Sequence, residues 1–139
     1  METADVRREI TRAIEQAKRR AGERRARNDE AAKAFDVFMT RTAVPLFRQV
    51  ANILKAENIM FTVFTPSGSV RLMSDRSPED FIELSLESEG EVPQVMGRTS
   101  RTRGSRVRQS ERAIGAPEAI TEDALLEFLT NALEPFVER

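Results

Sequence analysis

Between Val6 and Met39, apolar and small residues return at steps of three and four: Val6, Ile10, Ala13, Ile14, Ala17, Ala21, Asn28, Ala31, Ala32, Phe35, Phe38 and Met39. At ~100° per residue these positions share one stripe of a single helix, interrupted by Arg24. Thr3 or Asp5 is placed to cap its start, and Glu2, Asp5 and Glu9 suit the positive end of a helix dipole. A helix over residues 3–42 would extend about 60 Å at ~1.5 Å per residue, while a compact domain made from the rest of the chain would be only ~30 Å across. Such a domain leaves much of the stripe bare, so the pattern predicts that a second copy of the helix covers it. Written as heptads, Ile14, Ala21, Asn28, Phe35 and Thr42 fall at one seam position and Ile10, Ala17, Arg24, Ala31 and Phe38 at the other. A single Asn on a seam sets register, and small alanines permit close approach. The expected state is therefore a homo-oligomer, a dimer first, joined through an arm over residues 1–44.

Pro45 removes a backbone donor, which predicts a kink or a fresh helix there. Residues 45–55 then carry Leu46, Phe47, Val50, Ile53 and Leu54 and read as a fully packed segment. After it the periodicity changes from helical to alternating. Residues 59–65 are rich in strand formers, Pro66-Ser67-Gly68-Ser69 reads as a turn, and residues 70–74 form the return strand. In residues 81–87, Ile82, Leu84 and Leu86 alternate with Glu83, Ser85 and Glu87. Residues 94–103 and 106–113 make a last hairpin about Gly104-Ser105. Thr121 caps a closing helix whose apolar face is Ala124, Leu125, Phe128, Leu129, Ala132, Leu133 and Phe136. Five phenylalanines, Phe61, Phe64, Phe81, Phe128 and Phe136, read as core. The fold class is α+β: a long helical arm, then an antiparallel meander of about five strands with a C-terminal helix on one face, the globular part spanning residues 45–139.

Chemistry is limited by what is missing. The chain has no His, Cys, Tyr or Trp, which excludes Ser-His and Cys-His nucleophile pairs, Cys/His zinc sites and imidazole acid–base work. No catalytic residue, cofactor or metal ligand set is expected. The Pro66–Ser69 turn lacks the lysine and following helix of a phosphate loop. Asp75, Glu79 and Asp80 match no EF-hand and suit a helical turn instead. No apolar run approaches the ~20 residues of a membrane span, and the opening METADVRREI lacks the apolar core of a signal peptide. A cytoplasmic protein away from membranes is the expectation.

Net charge is −1, but it is laid down in blocks. Residues 7–27 are basic, 75–91 acidic, and 98–112 basic again, reading RTSRTRGSRVRQSER. With Gly104-Ser105 as a two-residue turn, Arg103 faces Arg106, Arg101 faces Arg108 and Gly97 faces Arg112. Alternation then puts Arg101, Arg103, Arg106, Arg108 and Arg112 on one face, with Arg98 on the other beside Glu111. Like charges placed directly across a ladder repel, so this face calls for a counter-charge or a ligand. The counter-charge reading takes Glu83 and Glu87 from the neighbouring strand, with Glu89 and Glu91 in the adjoining loop. The ligand readings are a protein partner, such as an acidic patch of a second subunit, or phosphate oxygens of a nucleic acid. The nucleic-acid reading is the weaker one here, because no aromatic stands among the arginines to stack a base. The function expected from sequence is thus a non-enzymatic, self-associating binding or scaffold protein.

Overall fold

In the computed structural model, which describes residues 1–138, the chain folds as a helical arm followed by an α+β unit. The last residue of the domain expected over 45–139 lies outside the described residues. Helix α1 spans Thr3–Phe38, a π-helical turn spans Met39–Ala43, and α2 spans Val44–Ala56. Glu2 is the N-cap of α1 and makes no side-chain cap bond, so neither Thr3 nor Asp5 caps this end. At Pro45 the helix neither stops nor restarts. The π-helical turn precedes it, with the Val44 N–H reaching back five residues to the Met39 carbonyl. Pro45 then falls in the first turn of α2, and the wider π-helical turn just before it is where the run adjusts to the donor that the proline lacks.

Five strands follow: β1 Phe61–Phe64, β2 Ser69–Ser74, β3 Phe81–Glu87, β4 Gln94–Arg103 and β5 Arg106–Gly115. They form one antiparallel sheet in the order β1-β2-β3-β4-β5. Gly68 supplies the positive φ, 76°, that the β1–β2 turn needs, and Gly104 does the same at 64° for β4–β5. Helix α3, Glu122–Val137, closes the chain, and the Thr121 hydroxyl accepts the Ala124 N–H as its cap.

Both α2 and α3 pack on one face of the sheet. Val70, Leu72, Ile82, Leu84 and Val95 supply the sheet side of this core, and Phe47, Leu125, Phe128 and Leu129 supply helix residues. Phe61 meets Phe136 edge to face at 5.6 Å, tying β1 to the end of α3. The end of α1 joins in: Phe35 and Phe38 are core residues and Ala31 is buried. Upstream the helix is bare, with Val6, Ile10 and Ile14 43%, 56% and 49% exposed. Three hydrophobic expectations are corrected. Ile53 is exposed, so α2 is packed on one side only, and Phe64 lies in the open on the edge strand β1. Phe81 is buried, but on the face of the sheet away from the helices, as the pairing below requires. No helix among the described residues is long and apolar enough to cross a membrane.

Candidate functional site

The β4–β5 hairpin has the register predicted from its turn. Arg103 pairs with Arg106, Arg101 with Arg108, Arg98 with Glu111 and Gly97 with Arg112. The five arginines therefore share one face. Which face follows from β3, because Leu84 pairs with Gly97 and Ile82 with Thr99. Arg101, Arg103, Arg106, Arg108 and Arg112 are thus in line with the core residues, on the helix-bearing side of the sheet. There the hairpin runs past the cover that α3 provides. Arg103, Arg106, Arg108 and Arg112 are exposed and Arg101 is half-buried.

The counter-charge expected from Glu83 fails on this geometry. Glu83 pairs with Arg98 and Arg71 and so stands on the opposite face. Its carboxylate accepts from Arg71 Nε at 2.8 Å and from Arg98 Nη2 at 2.7 Å, and Arg71 Nη2 lies 2.6 Å from Oε2. Both guanidinium groups lie over the Phe81 ring, 4.0 and 5.6 Å from its centroid. Arg98 thus pairs with Glu83 and not with its cross-strand neighbour Glu111. Glu87 pairs with Gln94, seven residues along β4 from Arg101. At ~3.3 Å per residue that is more than 20 Å from Arg101, well beyond a Debye length of ~8 Å. Glu87 also shares the face of Glu83, opposite to that of Arg112. Among the described residues, none of the five face arginines makes an ion pair.

Two groups at the hairpin escaped sequence reasoning. Asp80, read as a helix-start acid, is 2% exposed and accepts the Thr102 N–H at 2.6 Å. It extends the β3–β4 ladder with a side chain just before β3 begins. The second is a cleft between the hairpin and the end of α3, lined by Thr99, Arg101, Arg108, Ser110, Ala132 and Phe136 among others. Its sheet half was legible, since the register sets Thr99 opposite Ser110 on the arginine face. Its helix half depends on where α3 crosses the sheet, which no local pattern announces.

The residues expected along the arm seam divide in two. Ala31, Phe35 and Phe38 are buried by the chain itself, whereas Ile10, Ile14 and Ala17 are exposed and Ala21 and Asn28 half-buried. In comparisons with known proteins, the chain matches no family model, no curated protein and no solved structure.

Proposed function

We propose that this chain is a non-enzymatic, self-associating binding protein whose working surface is the arginine ribbon and whose ligand is a phosphate-bearing polyanion. The observation behind this reading is the ribbon's electrostatics. Five guanidinium groups share one face without an ion-pair partner among the described residues, and Glu83 of the neighbouring strand is paired with Arg71 and Arg98 on the other face. Arginine forks match phosphate oxygens two at a time. The missing stacking aromatic argues for backbone contact instead of base readout.

The test is binding of labelled single- and double-stranded DNA and RNA across a salt series, wild type beside Arg101→Ser/Arg103→Ser/Arg106→Ser/Arg108→Ser. The wild type is expected to lose affinity with a log–log slope of roughly −0.7 to −0.9 per phosphate neutralised. The fourfold variant should lose that slope together with most of the binding. Absence of binding at low salt, or an unchanged slope in the variant, would overturn the reading.

Self-association through the arm is supported by Val6, Ile10 and Ile14, three large apolar side chains at helical spacing that stay exposed among the described residues. The intermolecular seam would use Ile10, Ile14, Ala17, Ala21 and Asn28, the seam positions left outside the core. Light scattering at micromolar concentration should give at least twice the chain's 15.7 kDa. Ile10→Glu/Ile14→Glu should return a monomer with the melting of the α+β unit unchanged. A monomeric wild type would sink this part.

A further inference from the structure

The cleft between the hairpin and α3 combines features found nowhere else on the ribbon. Arg103 and Arg106 flank the turn and reach into solvent, whereas Arg101 is half-buried beside α3. Directly across from Arg101 stands Arg108, and both line a cleft of 280 Å³ whose far wall is Ala132 and Phe136. Phe136 is held in place by its edge-to-face contact with Phe61. At the cleft floor the Thr99 and Ser110 hydroxyls hydrogen-bond to each other. One O–H is used in that bond, and the other remains free to donate.

Arg101 and Arg108 have no ion-pair partner among the described residues, and the last turn of α3 brings no further cation to the cleft.

We propose that this cleft binds a phosphomonoester carried on a compact apolar body. Arg101 and Arg108 fork onto the dianionic phosphate, the free hydroxyl of the Thr99–Ser110 pair donates to it, and the apolar body packs on Ala132 and Phe136. The proposal rests on the reading of the ribbon as a phosphate surface, and adds to it a defined small-ligand site. The cleft volume of 280 Å³ lies just under the ~300 Å³ at which ligand pockets begin, which suits one ring and one phosphate.

Calorimetric titration of the full chain with phenyl phosphate, inorganic phosphate and phenol tests it. Phenyl phosphate should bind about tenfold or more tighter than inorganic phosphate, the ring's burial supplying the difference, and phenol should show no binding. Ala132→Leu, a helix-compatible change that fills the cleft and keeps every arginine, should erase the advantage of the ring while nucleic-acid binding persists. Arg101→Gln/Arg108→Gln changes surface positions and should remove both phosphate ligands, so a misfolded leucine variant would not end the test. Equal affinity for the two phosphates, or phenyl phosphate binding untouched by either variant, overturns the cleft proposal. If DNA or RNA still binds with the expected salt slope, the ribbon reading survives that failure; if nothing phosphorylated binds, both fall together.

Discussion

Gly97→Ala should cost about 3 kcal/mol of stability, at the upper end of overpacking in a filled core, and Gly97→Val should leave little folded protein. A Cβ built on Gly97 would run into Cζ of Phe128 and lie 2.5 and 2.9 Å from two further ring carbons. Side-chain carbons do not approach so closely, so the ring or the strand must move. Phe128 is 5% exposed and sits in the core between α3 and the sheet. Its ring cannot retreat unless α3 lifts with it. The close approach explains a glycine in mid-strand, where it otherwise weakens the ladder. Thermal unfolding should report a drop of roughly 10 °C for the alanine variant. Phe128→Leu, which shortens the side chain at the point of contact, should make the same Gly97→Ala change much cheaper. If alanine is tolerated in the wild-type background, α3 does not rest on this glycine. The function is linked to this contact: a displaced α3 would open the cleft beside Arg101, so Gly97→Ala should also weaken phenyl phosphate binding.

Gly97 illustrates what could be read in advance and what could not. Its partner Arg112 followed from the Gly104-Ser105 turn, because a two-residue hairpin fixes every pair that follows. That is why the five arginines were placed on one face correctly. The same reasoning could not say which face, since β3 and β4 are joined by the loop over residues 88–93 and not by a two-residue turn. A shift of one residue in such a connection exchanges the two faces of a strand. Glu83 was consequently expected beside the ribbon and lies behind it. Phe81, apolar and adjacent to an alternating strand, looked like core, yet it is covered from the far side by two arginines whose positions depend on that non-local register. The arm shows the opposite limit. Its periodicity was plain from Val6 to Met39, but the pattern is identical where the chain's own core covers it, at Ala31, Phe35 and Phe38, and where the stripe stays exposed, at Ile10 and Ile14. Helical spacing records that a stripe is apolar without recording what lies against it.

Replacing Glu83 with alanine should destabilise the protein by about 3 kcal/mol, the scale for breaking a buried ion pair from one side. The Glu83 side chain is 9% exposed, whereas those of Arg71 and Arg98 are 28% and 34% exposed, so the cost falls at the lower end of that class. One carboxylate satisfies both guanidinium groups, with one oxygen for each. Removing it leaves two cations side by side over the Phe81 ring, and Arg98 Nε already lacks a partner. A ring face attracts a single cation modestly and cannot offset the repulsion between two. Glu83→Gln keeps the shape and loses the charge, so it should fall between alanine and wild type. Arg71→Met or Arg98→Met alone should cost less than Glu83→Ala, because each leaves the carboxylate with its other partner. The triple change Arg71→Met/Glu83→Leu/Arg98→Met is expected to recover most of the loss, since an apolar cluster of similar volume needs no charge balance. Urea unfolding of the five variants distinguishes these cases. A Glu83→Ala loss no larger than that of either arginine variant would mean the carboxylate is not the shared centre. The ordering also bears on function, because the triad holds Glu83 on the far face. Releasing two cations there by Glu83→Ala, while the ribbon stays intact, should leave the salt slope of polyanion binding unchanged if the ribbon alone carries it.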